Sequence, residues 1–214
     1  EVEMPKEQRQ LYDYMRDRAI LSIENEDCTA TNVLTQLIRL HQISCGHVTT
    51  DDGNIIRIDM FRFKELLAAI EEVTGKIIIW ATYRADIKML IQELSSIYGK
   101  DSCVDYYGDT KDTIRVQNIE RFQGDDKVRF FVGNPQTGGM GITLTASSTV
   151  IYYSNSYNLE HRIQSEDRAH RIGQANRVTY VDLICPKTVD AKIVKALRSK
   201  KQLAGRILGD DWQS

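Results

Sequence analysis

The feature that most constrains this chain is an alternation of short, largely apolar runs with amphipathic stretches of helical period. The runs are KIIIW (76–80), SCVDYY (102–107), KVRFFVGN (127–134), STVIYYS (148–154) and RVTYVDLIC (177–185). KIIIW is continuously apolar, the mark of a strand buried on both faces, and the others read as strands beside it. Between them lie FRFKELLAAIEEV, YRADIKMLIQELSSIYG, GDTKDTIRVQNIERFQG and NLEHRIQSEDRAHRI, and TVDAKIVKALRSKKQL follows with Thr188 as a candidate N-cap. Strand–helix alternation of this kind predicts an α/β fold, a parallel sheet with helices on both faces. Two further helical segments precede it. One follows Pro5 and sets Leu11, Met15 and Ile20 among charges; the other carries a stripe of Val33, Leu34, Leu37, Ile38 and Leu40. CGHVTTDDGN (45–54) reads as a loop, which divides the chain into a helical segment, 1–50, and an α/β lobe, 51–214.

Composition narrows the function classes. With 42% hydrophobic and 27% charged residues over 214 positions, the chain predicts a packed core and argues against disorder. The net charge of −2 lacks the basic excess common in nucleic-acid binders, so any phosphate contact must come from a local patch. The four cysteines form no C-x-x-C pair and have no histidine at zinc-ligand spacing, which predicts buried thiols in a reducing, intracellular setting. No apolar run approaches the roughly 20 residues of a membrane span, and no signal peptide is visible. The start at Glu1 reads as a piece excised from a longer protein.

Ligands of such sheets bind outside the carboxyl ends of the strands, and two stretches stand there. QSEDRAHRIGQ (164–174) follows the fourth run. On a continuous helix Gln164, Arg168 and Arg171 fall within an arc of about 60°, with Leu159 and Ile163 on another face to anchor it. That arrangement reads either as a guanidinium fork for phosphate oxygens or as a solvated face with Arg168 paired to Glu160 or Asp167. NPQTGGMGITLT (134–145) follows the third run; its glycines permit close approach of a ligand to the backbone, or a tight turn. The phosphate-cradling G-x-x-x-x-G-K-[ST] loop occurs nowhere in the 214 residues, nor does an Asp-Glu pair after a buried strand that could hold Mg²⁺.

Together these strings resemble the second motor lobe of Swi/Snf-type, superfamily-two helicase-like ATPases. The resemblance rests on D-R-A-H-R-I-G-Q (167–174), on G-G-x-G-I-x-L-T (138–145) before it, and on KIIIWATYRADIKMLIQEL, VDYYGDTKDTIRVQNIERFQ and LTQLIRLHQISCGH upstream, covering roughly residues 30–205. It implies a RecA-like lobe preceded by a helical inter-lobe segment. It implies that Arg168 and Arg171 are arginine fingers supported by Gln164, and that Gly139, Gly141 and Asp167 adjoin the nucleotide. It further implies that ATP and Mg²⁺ are held mainly by the first lobe of the full-length protein, leaving this piece inactive alone and without a metal site of its own. Duplex DNA backbone is the implied partner of Thr82, Tyr83, Arg84, Gly108, Thr110, Thr137 and Gly138. Read from the residues alone, Thr82–Arg84 is equally a helix N-terminus with an exposed arginine, Gly108–Thr110 a plain turn capping the next helix, and the basic RSKKQLAGR stretch a solvated face. The pattern departs at Asn134-Pro135, where the family usually has Ser-Thr, and at Leu159, where it has proline after an aromatic-Asn pair.

Two other readings stay open: a non-catalytic DNA- or protein-binding module, and a strand-separating helicase of the same superfamily. The compact lobe, with no large insertion between its strands, favours the cytoplasm of a bacterial or phage-infected cell over a nucleus.

Overall fold

The computed structural model describes residues 1–24, 29–137 and 141–208. Helices α1 (Lys6–Glu24) and α2 (Ala30–Cys45) lead into a hairpin of β1 (His47–Thr49) and β2 (Ile55–Arg57). Then follow α3 (Phe61–Glu71), β3 (Ile77–Trp80), α4 (Arg84–Tyr98), β4 (Cys103–Tyr106), α5 (Asp112–Gly124), β5 (Phe130–Gly133), β6 (Thr149–Tyr152), α6 (Leu159–Ala169), β7 (Thr179–Asp182) and α7 (Val189–Leu208).

Strands β3 to β7 make one wholly parallel sheet in the order β4-β5-β3-β6-β7. The strand period of two sorts its side chains into two cores. Ile77, Ile79, Phe130, Val132 and Ile151 meet α3 and α4 through Leu66, Ile70, Ile87, Leu90 and Leu94. Ile78, Trp80, Phe131, Val150 and Tyr152 meet α5 and α6 through Phe122 and Ala169. From β3 the chain runs by α4 to the β4 edge; from β6 it runs by α6 to the β7 edge. Those departures diverge, so the sheet's switch point lies between the carboxyl ends of β3 and β6.

The stretch expected to be a loop at 45–54 contains instead the first strand of the antiparallel hairpin, His47 pairing Arg57 and Thr49 pairing Ile55 across residue 51. Three-residue strands with Ile55 and Ile56 exposed leave no alternation to read. Helices α1 and α2 are fastened to the lobe. The Val2 amide donates to Ile184 O, and the Val189 amide to the Tyr12 hydroxyl, both at 2.8 Å. Arg62, fully buried, donates to Ser44 O, Tyr153 O and Leu183 O and pairs with Asp190 at 2.7 Å. Burial opposes ionisation of Asp190, yet the Arg62 guanidinium outweighs it and holds that carboxyl well below the usual range. No described helix is long and apolar enough to cross a membrane. Cys45, Cys103 and Cys185 are buried free thiols; Cys28 lies outside the described residues.

Candidate functional site

The carboxyl ends of β3, β5 and β6 are stitched together. Ser154 Oγ accepts from the Thr82 amide at 2.9 Å, and Asn134 Nδ2 donates to Thr82 O at 2.9 Å. Asn134 also accepts from the Gln136 amide through Oδ1, which shapes the loop at its start. The asparagine that breaks the family's Ser-Thr pattern thus ties the loop to β3.

Arg168 stands at this end of the sheet, not in solvent. Its side chain crosses the α6 face of the sheet, with the guanidinium 5.2 Å from the centre of the Trp80 ring and the residue only 4% exposed. It donates to Pro135 O at 3.3 Å and Thr137 O at 3.4 Å. Burial lowers its pKa, but a guanidinium starts so high that it keeps its charge. Gly133 makes the arrangement possible: a Cβ there would stand 2.7 Å from Tyr106 O and 3.0 Å from the Trp80 ring.

Arg171 is reached differently from the expected fork. Helix α6 stops at Ala169, and His170 leaves helical geometry with ψ 83°. Arg171 therefore lies in the following turn and is exposed, and its guanidinium donates to Gly141 O and, at 3.4 Å, to Ile142 O. Gln164 is exposed on the helix and donates to Glu160 at 3.0 Å, one turn back. So the three residues do not share one helix face. What Arg168 and Arg171 share is the glycine segment: one holds its upstream flank at Thr137, the other its downstream flank at Gly141. Gly138 and Gly139 lie outside the described residues. Asp167 is exposed beside Arg171 in a cleft that also takes in Arg177 and Lys201.

The anchoring of α6 is also a correction. Leu159 and Ile163 are only half-buried; the buried positions are Ser165, Arg168 and Ala169. Ser165 Oγ meets the Tyr152 hydroxyl at 2.6 Å. Arg162 stacks 3.6 Å from the centre of the Tyr152 ring and pairs with Glu166 and Asp182. Asn158 caps the helix, accepting from Glu160 N at 2.8 Å. From α7, Lys201 pairs with Glu166 at 2.7 Å and Arg198 with Asp182 at 3.8 Å, so those cations brace α6 and β7.

Of the strand-end residues, Thr82 and Tyr83 are committed inward. Thr82 Oγ1 donates to Ser154 O at 3.3 Å, and the Tyr83 hydroxyl meets His41 Nδ1 at 2.8 Å. Thr110 Oγ1 donates to Asp105 at 2.6 Å and accepts from the Tyr107 amide, so it is buried and caps nothing; Lys111 holds the N-cap position of α5. Arg84 is exposed at the start of α4, with Gly108 against its guanidinium. Sequence reasoning missed Trp80 and Lys88, and gave no sign that Asn134 bonds Thr82 O or that Asp109 pairs with Arg84 and Lys88. Trp80, the aromatic close of a buried run, was the one with a signal.

Residues 61–173, more than half the chain, match the family described as helicase conserved C-terminal domain. The chain belongs to that family. Within the helicase C-terminal family its relatives are of Swi2/Snf2 type, and the fold is that of their C-terminal, RecA-like lobe. It is 34% identical over 152 residues to ATP-dependent helicase fft2 of Schizosaccharomyces pombe, covering 71% of this chain and 11% of that protein. It is 28% identical over 159 residues to chromatin-remodeling ATPase INO80 of Homo sapiens, covering 74% and 10%. The chain thus spans about a tenth of the length of these curated relatives. Among solved structures, the Sulfolobus solfataricus SWI2/SNF2 ATPase core domain matches 99% of this chain and 44% of its own, with TM-score 0.72 and 25% identity. The same core in complex with dsDNA matches with TM-score 0.75 at 24% identity, over 99% and 46%. The expectation of a bacterial or phage cytoplasm is corrected: the curated relatives come from fungi, mammals and a plant and include chromatin-remodeling ATPases. Compactness of the lobe is therefore no guide to cellular setting.

Proposed function

We propose that this chain is the second half of an ATP-driven motor that moves along duplex DNA, with Arg168 and Arg171 facing a nucleotide held mainly by a first lobe. The observation that carries the reading is that two guanidiniums hold the two flanks of the glycine stretch, Arg168 at Thr137 and Arg171 at Gly141. Both are held by carbonyl oxygens, weaker partners than a phosphate, so either could exchange a carbonyl for a phosphate oxygen. The residues suit ATP with Mg²⁺ in one respect: they bring fixed positive charge, and a γ-phosphoryl group in transfer spreads negative charge over its equatorial oxygens. Arg168, desolvated over Trp80, is pre-oriented; Arg171, exposed, is the mobile partner. Gln164 and Asp167 border the same helix end, and Gly141 lends its carbonyl to Arg171. Gly139, outside the described residues, completes the set by resemblance.

Duplex DNA is proposed as the track, read through its backbone and not its bases. The Sulfolobus core of this fold was solved on dsDNA. In this chain Arg84 offers the exposed cation, and Thr137 and Gly108 offer backbone. Thr82, Tyr83 and Thr110 shape the surface from beneath, since their hydroxyls are engaged. With chromatin-remodeling relatives, chromatin is the proposed setting. Lobes closing on the nucleotide and reopening after hydrolysis would shift the grip along the backbone, with residues 1–50 as the link.

The test is Arg171→Ala in the full-length protein. DNA-stimulated ATPase is expected to fall by about 10³-fold or more, with nucleotide and duplex binding largely kept. Near-normal turnover in that variant would remove the assignment.

A further inference from the structure

The loop after β4 carries an ion-pair arrangement that none of the above uses. Asp109 presents one carboxylate oxygen to Arg84 Nη1 and the other to Lys88 Nζ, each at 2.9 Å. Arg84 and Lys88 stand one turn apart on α4, and both side chains are largely exposed. A carboxylate bridging two cations with one oxygen each is the geometry in which a phosphodiester would offer its two non-bridging oxygens. The loop beneath is fixed. Thr110 is bonded to Asp105, Arg115 donates to Tyr107 O at 2.9 Å and pairs with Asp112, and Gly108 sits against the Arg84 guanidinium. Only the Asp109 side chain must swing for the two cations to be released.

We propose that Arg84 and Lys88 form a two-cation seat for a nucleic-acid backbone phosphate, and that Asp109 is its resident competitor. With Asp109 in place the trio carries a net single positive charge; displaced, it leaves two cations for the phosphate. The seat is thereby kept from holding stray anions and releases its backbone easily, which suits a grip that must be made and broken in each cycle. The Lys88 ammonium holds the Asp109 carboxyl below its ordinary value, so the competitor stays charged at neutral pH. Exposed pairs are weak and salt-screened, so the competition tunes affinity by a modest factor and does not abolish it. The inference rests on the proposed duplex-tracking function.

The experiment measures affinity of the full-length protein for a short fluorescein-labelled DNA duplex by anisotropy across a salt series. Asp109→Asn is expected to tighten binding about 3- to 10-fold at low salt, the gain fading as salt rises. Asp112→Asn, at the start of α5 three residues on and paired with Arg115, serves as control and is expected to change binding less than about twofold. In an Arg84→Gln, Lys88→Gln background, which itself binds more weakly, Asp109→Asn should give no gain. Equal gains from Asp109→Asn and Asp112→Asn, or a gain that persists without the two cations, would mean a general field effect and overturn the proposal. All four substitutions are on the surface, and matched thermal midpoints would verify folding. Failure of the unaltered protein to bind duplex at all would remove the functional reading itself. Binding with no response to Asp109→Asn removes this inference alone.

Discussion

At Arg168 the atoms that pack are also those proposed to meet the nucleotide, so the residues around it can be ranked. Trp80 gives the guanidinium a face at 5.2 Å, and its indole N–H finds no acceptor among the described residues. The ring was therefore placed there for its area and π-face and not as a donor. Trp80→Phe shrinks that face and leaves a small void beside Phe131, for a loss of about 1–2 kcal/mol in chemical denaturation. A tryptophan that merely fills space would leave turnover alone. A tryptophan that positions Arg168 should drop kcat in the full-length enzyme about 3- to 10-fold with KM for ATP nearly unchanged, matching a loss of about 0.6–1.4 kcal/mol. Unchanged kcat beside the expected stability loss would show Trp80 to be structural only. Arg168 and Arg171 were singled out through the resemblance of the D-R-A-H-R-I-G-Q string, not by their spacing alone. Their actual arrangement was not. Nothing before Gly173 signals the helix end at Ala169, since DRAH has no Gly, Pro or apolar break.

At the scale of elements, the sheet strands were legible from their apolar content: β3, β5 and β6 are buried throughout, while β4 carries Asp105 and the edge strand β7 is only half-buried. The anchoring of α6 was not. Apolar periodicity pointed to Leu159 and Ile163, while the fold buries Ser165 and Arg168 and packs the half-buried Arg162 by giving each a partner. Hydropathy counts such residues as solvent-facing whatever their partners. The same blindness hid the hub that locks α2 and α3 to the starts of the last two crossings. There, Arg62 collects three carbonyls and Asp190, which also accepts the Cys185 amide at 2.7 Å and has His41 Nε2 3.6 Å away. Arg62→Ala leaves a buried carboxylate without its cation, for an expected loss of about 3–5 kcal/mol at neutral pH. In the unaltered chain the Asp190 pKa lies below its unfolded value. The pair's contribution is thus complete above the ordinary carboxylate range and is lost only as pH falls through the depressed folded value. In Arg62→Ala, burial then dominates and raises Asp190, so lowering pH protonates it and relieves the variant. The stability gap in urea denaturation should be widest near pH 7 and narrow towards pH 5. A gap constant with pH would show that lost packing, and not an orphaned charge, causes the defect.

For the whole molecule the proposed function implies a division of labour. Arg168, bonded to Thr137 O at the sheet's carboxyl end, and Arg171, bonded to Gly141 O, can answer developing negative charge, but these 214 residues contain no loop of the G-x-x-x-x-G-K-[ST] type to cradle a triphosphate. A site built only from the responding half can supply transition-state charge yet cannot collect its substrate, because binding and positioning come first. The isolated chain is therefore expected to show ATP turnover no higher than buffer at micromolar protein, with or without duplex DNA. Addition of a separately produced first lobe from the same protein, together with duplex DNA, should raise turnover in proportion to lobe concentration. The rise should vanish when the added chain carries Arg171→Ala. Turnover by the isolated chain that survives repurification would place a complete nucleotide site within one lobe, and the two arginines would then need a different role. A first lobe that proves equally active without this chain would reduce these residues to a DNA- or protein-docking module, the reading that a net charge of −2 makes the weaker one.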